Sequence, residues 1–243
     1  MRTVVLHYHL FKNAGTSVDR ILQDNFANTW VTEEFPASGG NNTDRVEAWI
    51  ADTPDAVAFS SHTMMGPLPA VPGVRVIPVM LLRDPVARIR SAYRFERKQD
   101  ADTWGTELAR EHDLEGYVKA RLARKGDRQC RNFQTSRLAG MVPGDAPELE
   151  RAIAAVRLFQ AAGVIGRVEA FAAAMSALTA RLQPHFPDFQ ARIVRANVSA
   201  EPDAAAPPPQ DKALSTLLKE MNADDLAVLE ALDSSLKTVG NTP

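Results

Sequence analysis

Cysteine is nearly absent from this chain: Cys130 stands alone among 243 residues, which excludes an intramolecular disulfide and any multi-cysteine zinc or iron–sulfur site. Charge of one sign is also missing. Twenty-eight Lys and Arg stand against 30 Asp and Glu, and a formal net charge of −2 speaks against general binding to nucleic acid, which needs a large basic excess. No apolar run approaches the roughly 18 residues that suggest a membrane span. The opening Met1-Arg2-Thr3-Val4-Val5-Leu6-His7 lacks the apolar core of a secretory leader. The expectation is therefore a soluble, cytoplasmic protein without a membrane span. No internal repeat and no convincing cluster of acidic metal ligands stands out. A zinc site built from His7, His9 and His62 lacks an obvious fourth ligand.

What is present suits a single α/β domain over 1–243, since 45% hydrophobic and 24% charged residues at this length support one well-filled core. Its charges are unevenly spread. Arg83 to Lys98 carries six basic residues against Asp84 and Glu96, and Lys119 to Arg137 carries seven against Asp127 alone. Such stretches point to a local anion site, or else to solvated helix faces.

The chain is organised around Leu10-Phe11-Lys12-Asn13-Ala14-Gly15-Thr16-Ser17. Thr3 to Leu6 is apolar and β-branched enough for a buried strand, and Val18, Ile21, Leu22 and Phe26 recur at helical spacing. A strand passing through a small-residue loop into a helix start delivers unpaired N–H groups and the positive helix end to one point, a cradle for phosphate. The nucleoside-triphosphate pattern G-x-x-x-x-G-K-[ST] does not fit, because Lys12 precedes the glycine instead of following it. The order His9-Leu10-Phe11-Lys12-Asn13-Ala14-Gly15-Thr16-Ser17 resembles the 5′-phosphosulfate loop of sulfotransferases that use 3′-phosphoadenosine 5′-phosphosulfate, in the style of carbohydrate sulfotransferases and their bacterial relatives.

Val74 to Leu82 is the strongest strand, apolar on both faces as a central parallel strand must be. It ends at Arg83-Asp84-Pro85, where Asp84 suits an N-cap and Pro85 a first helical position. Val86, Ile89 and Tyr93 supply the core-facing stripe of the helix that follows, and two turns bring Ser91 onto the face of the cap. Leu81 to Tyr93 resembles the 3′-phosphate motif L-R-D-P-x-x-R-x-x-S-x-Y of the same family. The resemblance implies that Asn13, Ala14, Gly15, Thr16 and Ser17 hold the 5′-phosphosulfate, that Arg83 and Ser91 hold the 3′-phosphate, and that the donor is a co-substrate with no metal required.

Elsewhere, Asn28 to Asp44 reads as an aperiodic loop, Arg45 to Ala51 as a short helix and Ala56 to Ser60 as a buried strand. Helices are expected over Leu114 to Arg124, Pro147 to Phe159 and Val168 to Leu182, with a loosely helical Gln99 to Glu115 and a short strand at Gly163 to Gly166. Arg131 to Gly140 resembles an acceptor-side segment of bacterial relatives, which makes Asn132 a substrate-binding candidate, or else is an ordinary capped helix. Ile193 to Val198 reads as strand or loop, and Asn197-Val198-Ser199 resembles a late cofactor-contacting loop. Residues 204–210 form a proline-rich surface linker to two closing helices that break near Asn222. The alternation gives an α/β fold, a three-layer sandwich of P-loop type with a mostly parallel central sheet.

The expected chemistry is in-line transfer of a sulfuryl group to a hydroxyl of a carbohydrate, glycolipid or small molecule. Lys12 would stabilise charge on the leaving phosphate. His62 follows the strand Ala56 to Ser60, and Ser61-His62-Thr63-Met64-Met65-Gly66 resembles the G-H-x-x-x-G segment of heparan 2-O-sulfotransferase-like enzymes, where a histidine is the base. His62 is therefore the candidate base, or else a hydrogen-bonded structural histidine, with Ser61 in place of the usual glycine. His7 and His9, on one side of their strand, frame the loop or offer an alternative base. His112, His185 and Cys130 need no chemical role. The rival readings are a P-loop small-molecule kinase and a non-catalytic nucleotide-binding domain.

Overall fold

The computed structural model describes residues 1–36, 40–192 and 209–240, with side chains described at 1–36, 40–192 and 212–236. The expectations for Ile193 to Val198, for Asn197 to Ser199 and for linker residues 204–208 lie outside the described residues. In chain order the elements are β1 (Arg2–Tyr8), α1 (Gly15–Phe26), β2 (Trp30–Thr32), α2 (Thr43–Asp52), β3 (Ala58–Ser61), β4 (Val74–Leu82), α3 (Pro85–Lys98), α4 (Trp104–Glu111) and α5 (Leu114–Ala123). There follow α6 (Phe133–Ala139), α7 (Glu148–Ala162), β5 (Val164–Arg167), α8 (Phe171–Leu182), α9 (Pro209–Met221) and α10 (Ala223–Gly240). The chain divides into two compact units, Met1–Leu82 with Arg137–Val198, and Arg83–Ser136 with Ser199–Pro243.

The first unit is built on a sheet of order β2-β3-β1-β4-β5 in which every pair is parallel. Alternation of side chains along β1 assigns its two faces. Val5 shares a core with Val18, Ile21 and Leu22 of α1, with Met175, Leu178 and Leu182 of α8, and with Ile77, Val79 and Leu81 of β4. On the opposite face Tyr8 meets Phe159 of α7 edge-on, ring centroids 5.4 Å apart. Phe59, in register with Leu6, meets Trp49 of α2 at 4.8 Å. Helices thus cover both faces of the sheet, as the strand–helix alternation predicts. Fully burying each such side chain contributes about 1.5–3 kcal/mol. From β1 the chain turns through α1 toward β2, whereas the route from β4 reaches β5 through α7 on the other face. The carboxyl ends of β1 and β4 are therefore the switch point where open α/β sheets take their ligands.

β4 covers the expected residues, and β3, β5, α2, α5, α7 and α8 fall within a few residues of theirs. The loosely helical Gln99 to Glu115 contracts to α4, and a 3-10 turn at Val168–Ala170 opens the α8 segment. The linker reading yields at its end, where Pro209 and Gln210 already belong to α9. β2 corrects the reading of Asn28 to Asp44 as loop throughout: Trp30, Val31 and Thr32 suit a strand but are too few to show a period. Pro78 sits inside β4, one residue before pairing with β5 begins at Val79, and Gly163 packs against it. A Cβ at Gly163 would lie 2.0 Å from the Pro78 carbonyl oxygen.

The second unit is helical. Ile89 of α3, Leu108 and Ala109 of α4, Tyr117 and Val118 of α5, Cys130, and Leu214 and Leu218 of α9 form its core, with Val86 and Tyr93 against it. Asp84 caps α3, its Oδ1 accepting from the Ala87 amide at 2.8 Å, with Pro85 at the first turn. The buried Arg121 donates to Glu96 at 2.8 Å and to Asp127 at 2.9 Å, and Tyr117 Oη donates to Glu96 at 2.5 Å.

Candidate functional site

The loop after β1 is bent by residues that are not glycine. Leu10 N–H donates to Tyr8 O at 2.9 Å and Asn13 N–H to Leu10 O at 3.1 Å. Lys12 (φ 64°) and Ala14 (φ 58°) both adopt the left-handed conformation, which costs a non-glycine residue about 1–2 kcal/mol each. Asn13 is buried and its amide donates to Leu81 O at 2.8 Å, so the loop is tied to the end of β4 as well as to β1. Helix α1 starts at Gly15 with Ala14 as its cap, without a side-chain cap bond and without an acidic residue in the first turn. The Ala14 carbonyl accepts from Ser17 and Val18. An uncapped helix start that carries no acid favours an anion.

Gly15 is fixed by what lies beside it. A Cβ there would come within 2.0 Å of the His9 ring, so the imidazole rests directly on the glycine backbone. His9 also meets His62, ring centroids 3.9 Å apart with the planes tilted by 34°, and His7 stacks with His9 at 5.4 Å. The structure thus brings the candidate base His62 against the loop through a single intervening side chain. His7 and His9 do share one side, although His9 lies just beyond β1.

Each end of this row of imidazoles is held by a carboxylate. Asp19, on the sheet-facing side of α1, takes His9 Nδ1 on Oδ2 at 2.8 Å and His7 Nδ1 on Oδ1 at 2.7 Å. Ser60 Oγ lies 2.8 Å from His7 Nδ1 and also donates to Asp19 Oδ1. Burial works to raise the Asp19 carboxyl. The hydrogen bonds of His7, His9 and Ser60 and the charge of His7 outweigh it and hold the carboxyl well below the usual range. At the other end, Glu34 Oε1 lies 2.5 Å from His62 Nδ1 and accepts from the His62 amide at 3.2 Å, while Oε2 accepts from Thr63 Oγ1 at 2.7 Å. Desolvation again raises this carboxyl, and the bonds from His62 and Thr63 prevail to lower it. His62 and Glu34 are each about half exposed.

Asp19 and Glu34 were not singled out in the sequence. Asp19 had a signal: it sits beside Val18 in the buried stripe of α1, where a carboxylate needs a partner. Glu34, in an aperiodic stretch, had none. His7, His9 and Asp19 also form a group whose potential metal-binding atoms lie within 4.8 Å of one another. The Nδ1 atoms of both histidines are already turned to Asp19, and His62 is outside the group.

No protein-family model matches the chain. A protein of the archaeon Archaeoglobus fulgidus, described as an uncharacterized protein, is 38% identical over 231 residues, spanning 92% of this chain and 88% of the relative. The chain belongs to that protein's family. Because the match spans 92% of the chain, the family relationship extends through both compact units.

The remaining candidates, Arg83, Ser91 and Asn132, lie in the second unit. The Arg83 backbone is clamped by the fully buried Gln134, whose amide accepts from Arg83 N–H and donates to Arg83 O, both at 2.8 Å. Ser91 stands half-buried on α3. Asn132 takes the left-handed conformation (φ 44°), and its side chain donates to Asp224 at 2.8 Å while its amide donates to Asn222 Oδ1 at 2.9 Å. Asp225, fully buried, accepts from the Thr135 amide and hydroxyl, both at 2.7 Å. Asn132 therefore has a structural task at the start of α6.

Proposed function

We propose that this protein is a sulfotransferase that moves a sulfuryl group from 3′-phosphoadenosine 5′-phosphosulfate to a hydroxyl of a carbohydrate, glycolipid or small-molecule acceptor. The observation that carries the reading is the contiguity of Gly15, His9 and His62: an anion-favouring helix start and a solvent-reachable, carboxylate-bound imidazole, both in contact with the same side chain. The uncapped start of α1 fits a phosphosulfate group, and the order of residues in both phosphate motifs supports the identity of the nucleotide.

The nucleotide supplies an activated sulfuryl group with a phosphate as leaving group. The backbone of Asn13 to Gly15, with Thr16 and Ser17, would bind and orient the 5′ end, and the Lys12 ammonium would offset charge growing on the leaving phosphate oxygen. Arg83 and Ser91 are assigned the 3′-phosphate by the resemblance. His62 takes the acceptor proton as the hydroxyl oxygen uses its electron pair to bond sulfur, and the electrons of the broken sulfur–oxygen bond remain on the phosphate.

Calorimetry with adenosine 3′,5′-bisphosphate, with ATP as comparator, tests the assignment. Binding of the bisphosphate is expected to exceed that of ATP and to weaken at least about tenfold in Arg83→Ala, which removes a charge-assisted phosphate contact. Lys12→Ala should reduce turnover about 10²–10³-fold, as for one preorganised donor. Preference for ATP would favour the kinase, and bisphosphate binding without sulfated product across a broad acceptor panel would favour a non-catalytic domain. Either result overturns the proposal.

A further inference from the structure

We infer that Glu34 is the positioning residue of the proposed base: it fixes His62 as the tautomer with hydrogen on Nδ1, leaving the lone pair on Nε2 for the acceptor hydroxyl. The inference rests on the sulfotransferase reading for its chemical purpose, but its geometry stands independently. An ionised carboxylate has no hydrogen to give, so the 2.5 Å contact between Glu34 Oε1 and His62 Nδ1 requires the hydrogen on the imidazole. Glu34 is kept ionised by the bonds it receives from His62 and Thr63.

The carboxylate is itself immobilised. Its Oε1 also takes the His62 amide at 3.2 Å, and its Oε2 takes Thr63 Oγ1 at 2.7 Å and Ser61 Oγ at 3.4 Å. Thr63 Oγ1 in turn accepts from the Phe35 amide at 2.6 Å, stitching the residue after Glu34 to the turn after β3. The second constraint on the ring is His9, whose ring lies against it with centroids 3.9 Å apart and planes tilted by 34°, and which is anchored at its own Nδ1 to Asp19. Glu34 fixes the edge of the His62 imidazole, and His9 packs against the ring. When the acceptor proton reaches Nε2, the Glu34 carboxylate faces the resulting imidazolium and stabilises it. Glu34 touches no reacting atom in this scheme, and its effect is exerted through His62.

The test is nitrogen-detected NMR of ¹⁵N-histidine-labelled protein, with His62 assigned through His62→Gln and recorded where the ring is neutral. The wild-type ring is expected to carry its hydrogen on Nδ1. Glu34→Gln, whose amide can donate to Nδ1, should invert or mix the tautomers, and Glu34→Asp should restore the original one at least in part. A hydrogen on Nε2 in the wild type, or a tautomer unchanged by Glu34→Gln, overturns the inference. In turnover, Glu34→Gln should lower kcat about 10²–10⁴-fold, the range for general-base catalysis, with bisphosphate affinity unchanged. Loss of bisphosphate affinity in step with kcat would mark a merely structural role and also overturn it. The expected tautomer shift in a protein that sulfates no acceptor would support the positioning role while removing the sulfotransferase reading.

Discussion

Asp19 binds two imidazoles and a hydroxyl, and its value to the fold depends on pH in a definite direction. Its carboxyl is held below the ordinary value in the folded chain, so it contributes full stability above about pH 4, the unfolded carboxylate range. That contribution is lost as pH falls through and below this range, because the unfolded chain then binds the proton more readily than the folded one. Urea unfolding between pH 6 and 2 should show a steep acid limb in the wild type and a shallower one in Asp19→Asn. At pH 7 the same substitution should cost about 1.5–3 kcal/mol, the range for hydrogen bonds to a charged group. Equal acid slopes in the two proteins would remove Asp19 as their source.

At the scale of elements, the bend into α1 carries conformational cost at Lys12 and Ala14, a pattern that concentrates at functional sites. Ala14→Gly should raise stability by about 0.5–1 kcal/mol, since relief of the left-handed penalty exceeds the entropy that glycine adds to the unfolded chain. Thermal unfolding reads this directly, and a lower Tm would show that Ala14 is not strained. The neighbouring elements illustrate what a sequence can reveal. β4 was legible along its whole length because both its faces are apolar, and the start of α3 because Asp84 and Pro85 are themselves the capping chemistry. β2 was hidden by having three residues. The loop motif and His62 could be picked out locally, whereas Glu34 acquires its meaning only when the fold returns β3 to its side.

Over the whole molecule, the two cationic stretches mislead if they are simply counted. Arg121 is spent on Glu96 and Asp127, and Arg88 is fully buried, donating to the Gln129 carbonyl and lying over the Phe133 ring at 4.4 Å. Charge that holds the second unit together looks, in one dimension, like charge offered to a ligand. Cys130 belongs to the same core, where burial pushes its thiol from an ordinary 9.0 up to about 12. The stability gained by keeping it protonated is complete below about pH 9 and is lost as pH rises from there toward 12. Iodoacetamide at pH 8 should therefore leave Cys130 unmodified in the native protein and label it promptly in denaturant. Rapid native labelling, followed by mass spectrometry, would contradict so closed a core.

Where Gly163 lies against Pro78, only a bare backbone fits. Sliding β5 by a single step would bring a residue with a side chain to that point and turn every β5 side chain to the wrong face. The outer margin of the sheet thus has a built-in stop, and α8, which follows after one 3-10 turn, inherits its alignment from it.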